Sequence, residues 1–425
     1  MPHSRRWWSW LQLVLLAAVT PLLLFPGGWR TMALIVLPST WIGNRIFTGH
    51  FIRRTPFDLI ILLLLVMVLV SLYATYDMAI SLPKITGVLL GVSLFYGVIG
   101  FAAFSGRSNW VAPGVMAIIA LFVGLAFVGT TWGTKVPLLV RISAALPAVL
   151  RGLPGADNGF HPAEVGGTLT WIIFLPLAAA IGFWSQRRSR RQVATGFVLL
   201  GLVAIMGFAL LLTQSRSAWI GVTIGTGVLL WLMGRWGRIM LVATLTFAVA
   251  IVLIAGPERI LQTSSPSASV VSGGFEPSLD GRIEIWSRAI YGIQDFSFTG
   301  MGMGTFRYIV PVLYPLFSIS PDLDIGHAHN ELLQAGVDLG IPGLIAFIAL
   351  QAMGIWLAYR TSRSIAFSPF QHWLALGILA GLVAHVIFGL TDAVAIGAKP
   401  GVFFWLLLAL ATITWESASP RPFVL

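Results

Sequence analysis

The sequence predicts an all-α integral membrane protein of about twelve transmembrane helices, with a large external loop containing short helices. Three observations predict it. The 425 residues are 57% hydrophobic and only 10% charged, whereas soluble domains run near a quarter charged. The apolar residues gather in runs of about 17–25, the length that crosses hydrocarbon as a helix. The Arg residues collect in alternate short connections, as the positive-inside rule demands of a polytopic chain.

The apolar runs lie near residues 10–26, 31–48, 57–76, 84–105, 111–130, 165–185, 193–213, 218–234, 238–256, 342–359, 370–391 and 401–417. The opening "MPHSRRWWSWLQLVLLAAVTPLLLF" has a basic start but no small-residue cleavage site, so it reads as a retained first helix. The turn "QRRSRRQ" carries Arg187, Arg188, Arg190 and Arg191 and marks a cytoplasmic connection. With Arg45, Arg53, Arg54, Arg107, Arg235, Arg238, Arg360 and Arg363 on the same side, both termini are expected in the cytoplasm. Two outer connections are long, 131–164 and 257–341, and loops of that size are usually functional. No internal repeat or soluble domain interrupts the pattern, so residues 1–425 read as one polytopic membrane domain.

The net charge of +11 follows from the inside bias, with an anionic substrate as the second reading; nucleic acid is not expected as a partner. The chain has no Cys, which excludes disulfides, zinc–thiolate sites and thiol nucleophiles. It also lacks HExxH, Walker A and GxSxG motifs.

Polar residues on the outer side go against the local bias and so carry information. In "TQSRSAW", Arg216 stands in a tight turn before the eighth apolar run. It is either an interface anchor or a planar cation for a phosphate, with Ser215, Ser217 and a helix N-terminus adding donors. In "SLDGRIEIWSRAIYGIQ", Asp280 is a candidate N-cap. Glu284 and Arg288 are spaced to pair, while Arg282 sits in the first turn, where a cation opposes the helix dipole. In "PDLDIGHAHNELLQAGVDLGIPG", His329 is the candidate general base, Asn330 stands beside it, and the run breaks at "GIPG". Asp322, Asp324, His327 and His329 are permissive for a metal, but no metal or cofactor is expected. His385 and Asp392, seven apart near one helix face, are ionisable groups inside or at the edge of a span.

Taken together, "TQSRSAW", "GRIEIWSRA" with "FTGMGMGTF" downstream, and "HNELLQAGVDLGIPG" resemble the O-antigen ligase and O-antigen polymerase superfamily. His329, Asn330, Gly340 and Gly343 fit its pattern of His, polar amide, nine residues, Gly, two residues, Gly. The resemblance is most specific over about 195–345. "GFHPAEVGGTL" is also similar to a family segment, but Ala163 stands where an Asn is usual, so no role is carried there.

The resemblance implies a GT-C-like membrane glycosyltransferase in the bacterial inner membrane, with its active site on the periplasmic face. The donor would be an undecaprenyl-diphosphate-linked glycan and the acceptor a glycan or lipid A–core hydroxyl. Arg216 and Arg282 match diphosphate-binding arginines and His329 the general base. Ser215, Asn330 and Arg288 complete the expected substrate-binding set. Transfer would be inverting and metal-independent. A polymerase of the same superfamily is the alternative acceptor reading; a transporter or flippase using His385 and Asp392 as a proton relay is the alternative class.

Overall fold

The computed structural model describes residues 3–24, 28–130, 132, 141, 160–186, 189–255, 270–271, 274–275, 279–320, 323–364 and 368–417. It is overwhelmingly helical. Helices α1 (His3–Leu22), α2 (Gly28–Thr48), α3 (Asp58–Ala74), α4 (Met78–Ser105) and α5 (Val111–Gly129) form the first half. The pair α6 (Pro162–Ile172) and α7 (Phe174–Gln186) follows, then α8 (Arg190–Thr213), α9 (Arg216–Leu232) and α10 (Arg235–Ala255). Two shorter helices, α11 (Leu279–Asp295) and α12 (Phe306–Leu313), precede α13 (Glu331–Ser362), α14 (Pro369–Gly389) and α15 (Val402–Glu416).

Each apolar run read from the sequence lies on a helix. Among the described residues, six helices are long and apolar enough to cross a membrane, with α3 and α9 shorter apolar helices beside them. Most of the 131–164 connection, including Lys135 and Arg151, lies outside the described residues, as does Asp322. One element departs from the all-helical expectation. Val270 and Val271 pair antiparallel with Phe275 and Gly274.

Glycines set the packing that carries the site. Gly221 and Gly225 of α9 abut the backbone of α14 at Ala384 O and Ala380 O. On another face of α14, Gly377 and Gly381 abut Phe174 O and Trp171 O. Both pairs are spaced i,i+4, the small-xxx-small arrangement that lets membrane helices approach closely. Helix α14 is thereby wedged between α9 and the α6–α7 pair, and the start of α9 comes to lie beside the end of α14.

Residues 279–330 build a second, smaller core. Ile285 and Ala289 of α11, Met301, Phe306, Val310, Ile325, Ala328 and Val337 pack together there. This cap docks on the first turns of α13 through backbone bonds: Met301 N donates to Val337 O (2.7 Å) and Ile341 N to Ser297 O (2.7 Å). The expected break at "GIPG" takes the form of a kink rather than an end. Gly340 alone is non-helical (φ 69°, ψ −178°) within Glu331–Ser362. Phe298 O packs where its side chain would be, so the position needs a residue without Cβ.

Candidate functional site

Four chain segments meet at the turn that follows α14. Arg282, in the first turn of α11, donates from Nη1 to Thr391 O (2.6 Å). Asn330 donates from Nδ2 to Leu390 O (2.9 Å). Thr391 Oγ1 donates to Ser217 Oγ (2.8 Å) in the first turn of α9, next to Arg216. Asp392 Oδ1 lies 3.5 Å from His329 Nδ1 and 4.0 Å from His327 Nε2.

Local sequence explains how each group is held. Ser215 caps α9, its Oγ accepting from Ala218 N (3.3 Å), after Gln214 turns the chain at φ 54°. Arg216 is left exposed at the mouth of the helix. Asp280 is not the cap the sequence predicts. Helix α11 begins one residue earlier, at Leu279, so Asp280 lies within the first turn. Arg288 pairs with Glu284 (3.3 Å) and donates to Pro315 O (2.9 Å). Glu284 in turn accepts from Phe317 N (2.6 Å) and Ser318 N (3.0 Å). These contacts brace the cap rather than reach the turn. Arg282 has no carboxylate partner among the described residues, and its Nε is buried without a hydrogen bond.

His329 stands at φ 47°, a left-handed conformation that costs a non-glycine residue about 1–2 kcal/mol. The surroundings impose it. Trp286 Nε1 donates to His329 O (3.2 Å) and His329 N to His327 Nδ1 (3.1 Å). Asn330 Oδ1 accepts from Leu332 N and Leu333 N (3.0 Å each), starting α13. Strain held in this way is characteristic of functional positions. The ring is only 11% exposed by side chain. Its Nδ1 is buried and makes no well-formed hydrogen bond, with Asp392 at 3.5 Å as the nearest acceptor.

The charges are mutually adjusted. Burial alone would raise the Asp392 carboxyl. Its contact with His329, the charge of His327 and His329, and the hydrogen bond from Ala393 N overcome that and hold it below the usual carboxylate value. Asp392 is therefore ionised at neutral pH. His327 is held below the ordinary histidine value, first by desolvation and then by the neighbouring His329, against the pull of Asp392; Lys84 and His161 push further down. Some 31% of the His327 side chain stays exposed, so solvent moderates the depth of the shift but not its direction.

His327, His329 and Asp392 have ligand atoms within 4.8 Å of one another and could hold a metal ion. The sequence-predicted set was different. Asp324 instead pairs with Arg307 (3.4 Å). His385 and Asp392, which the spacing grouped, have different partners: His385 faces Glu331 and Thr170, and Asp392 faces His329. Sequence reasoning missed Thr391 and Lys84, and the contact of Trp286 with His329; Ser217, expected as a donor beside Arg216, accepts from Thr391 instead. The signal for the turn was the polar pair Thr391–Asp392 ending an apolar helix. The signal for Lys84 was a lone cation at the start of one.

Residues 201–348 match the family model described as O-Antigen ligase. That segment holds Arg216, Arg282, His329 and Asn330. That segment is similar to the O-antigen ligase domain. An O-antigen ligase of Pseudomonas aeruginosa is 25% identical over 360 residues, covering 81% of this chain and 76% of that protein. An uncharacterized protein of Haemophilus influenzae is 25% identical over 174 residues, covering 39% of this chain and 43% of its own. The turn bearing Thr391 and Asp392 lies beyond the matched O-antigen ligase segment, but its hydrogen bonds tie it to that segment at Ser217, Arg282 and Asn330.

Proposed function

We propose that this protein moves a glycan from an undecaprenyl-diphosphate carrier to an acceptor hydroxyl on the periplasmic face of the bacterial inner membrane. The match of residues 201–348 to the O-antigen ligase model, and the similarity to an O-antigen ligase over most of the chain, support membrane glycan transfer. The observation that carries the finer reading is the meeting of Arg282, the Arg216 turn, His329 and Asp392 around residues 390–393.

In this reading Nε2 of His329 takes the proton from the acceptor hydroxyl. The acceptor oxygen forms a bond to the anomeric carbon as the carbon–diphosphate bond breaks on the opposite face, inverting that carbon. The electron pair leaves with the diphosphate, where the Arg216 and Arg282 guanidinium groups stabilise the charge. Asp392 orients the ring through Nδ1, the role a carboxylate takes beside many histidine bases. One base and a good leaving group suffice; the two carboxylates of a glycosidase are not needed.

A second feature supports a lipid carrier. An apolar groove of about 790 Å³ runs along α9 from Val222 to Leu232, closed by Leu241 and Leu245 of α10, Ile355 and Tyr359 of α13 and Leu379 of α14. At 1.5 Å per residue it starts roughly 9 Å below Arg216 on the same helix, where a polyprenyl tail would hang from a bound headgroup. With about twelve spans in a GT-C-like arrangement and both termini cytoplasmic, Arg216 and His329 face the periplasm while Arg190, Arg235 and Arg238 face the cytoplasm. The transporter reading loses its support, because His385 and Asp392 are engaged by different residues.

The test is transfer by purified protein in liposomes supplied with undecaprenyl-diphosphate glycan and a lipid A–core acceptor. Transfer is expected to persist in EDTA. Loss in EDTA that a divalent ion restores would reassign His327, His329 and Asp392 as metal ligands. Polymer ladders formed without the separate acceptor would select the polymerase reading.

A further inference from the structure

A second histidine–carboxylate pair joins the same two helices and takes no part in the chemistry above. Glu331, the first residue of α13, turns its carboxylate inward, and Oε1 lies 3.0 Å from Nε2 of His385 on α14. Both side chains are sealed, at 4% and 1% exposure. Across the ring, Nδ1 faces Gly167 O at 3.1 Å and Thr170 Oγ1 at 2.9 Å. Thr170 Oγ1 gives its own hydrogen to Gly167 O (2.6 Å). Both neighbours of Nδ1 therefore act as acceptors, Nδ1 carries a hydrogen, and one further hydrogen lies between Nε2 and Oε1. The ring stacks on Trp171 with centroids 3.6 Å apart. One imidazole thus ties α6, α13 and α14.

Fold stability alone gives no reason for this arrangement. Replacing a buried ion pair by well-packed apolar residues is often neutral or stabilising, and Glu331 Oε2 is buried here with no hydrogen-bond partner among the described residues. Room for it exists because residue 389 is glycine. A Cβ there would lie 2.6 Å from Oε2. What the pair does fix is register. Glu331 follows His329 by two residues, and His385 precedes Asp392 by seven. Pinning one to the other sets the start of α13 against the end of α14, and with it the approach of His329 to Asp392.

We propose that Glu331 and His385 are positioning residues that set the geometry between His329 and Asp392. This rests on His329 being the base. A displacement of about 1 Å at a reacting group can cost on the order of 10²-fold in rate, so a register clamp two residues from His329 and seven from Asp392 has a kinetic signature.

The experiment uses the full chain in liposomes, a synthetic undecaprenyl-diphosphate trisaccharide as donor, and kcat and KM measured separately. Glu331→Ala is expected to lower kcat about 10–100-fold while the donor KM stays unchanged. Glu331→Gln keeps a hydrogen bond to Nε2 through its amide and is expected to recover most of the rate. Gly389→Ala removes no polar group but crowds Oε2, and is expected to lower kcat to an intermediate level. Thermal unfolding of each variant separates loss of fold from loss of rate.

Glu331→Gln as slow as Glu331→Ala would overturn positioning in favour of a proton-transfer role. So would a defect confined to KM, or Glu331→Ala and Gly389→Ala both running at the parent rate. If Glu331→Ala does not fold, Gly389→Ala and Glu331→Gln still decide. A His329→Ala control at parent rate would sink the base assignment itself. An inactive His329→Ala beside a fully active Glu331→Ala would sink only the clamp.

Discussion

Helices α13 and α14 are linked by two histidine–carboxylate pairs with the groups exchanged between strands of the chain. At the mouth, His329 precedes α13 and Asp392 follows α14, 3.5 Å apart and without a well-formed hydrogen bond. In the core, Glu331 opens α13 and His385 lies within α14, 3.0 Å apart, with the imidazole bonded on both nitrogens. The chemistry is alike and the settings are opposed. A histidine whose nitrogens are both engaged inside apolar packing has nothing to exchange with a substrate. On the proposed function, the histidine with a carboxylate behind Nδ1 and a strained backbone is the one placed to take a proton. On that reading burial and hydrogen-bond completion, rather than residue type, separate a fastening pair from a reactive one.

The largest effect that would break this comparison is at the mouth. His329→Ala is expected to lower kcat about 10²–10⁴-fold, the usual contribution of a general base, while binding of undecaprenyl diphosphate, measured directly, remains. Loss of carrier binding instead would make His329 a ligand contact.

Next comes Arg282. Arg282→Ala is expected to lower transfer about 10²–10³-fold, in the range of other lost charge-stabilising donors. Arg282→Lys should recover only part of it, because the planar fork holds Thr391 O through Nη1 while its remaining donors carry charge that a single ammonium cannot place the same way. Full activity with Lys would reduce Arg282 to a generic cation.

The smallest effect concerns His327, read by pH. Its folded value lies below the ordinary one, so the unfolded chain binds a proton more readily. Stability is then lost as pH falls below the unfolded histidine value of about 6.5. His327→Gln is expected to flatten the fall in thermal midpoint between about pH 7 and 5, leaving the acid limb of the rate profile in place. A limb that disappears with His327 would move the base assignment to it. Asp392, also lowered, adds its own loss of stability only below about pH 4, near the unfolded carboxylate value.

Much of the fold was legible in the chain. Apolar length marked the stretches that lie on α1–α10 and α13–α15 but not α11 or α12, and the cations Arg216 and Arg282 and the polar His329 stood out because they break an apolar pattern where the sequence expects few cations. The turn at Thr391 and Asp392 was less legible. Spacing along one helix placed Asp392 with His385, since seven residues return to nearly the same face. Spacing says nothing about what that face meets, and α13 and the cap meet it at two different heights.

Glu331 shows the limit most clearly. In the sequence it is one polar letter in "HNELL", indistinguishable from a solvated residue at a helix start. In the molecule it is sealed beside Gly389 and His385. By itself the sequence determined the long apolar helices and the chemical inventory of the polar connections between them, because these depend on local composition and period. The tertiary structure alone decided which imidazole faces which carboxylate, because that depends on glycine contacts between helices α9, α14 and α6–α7 that are far apart in the chain.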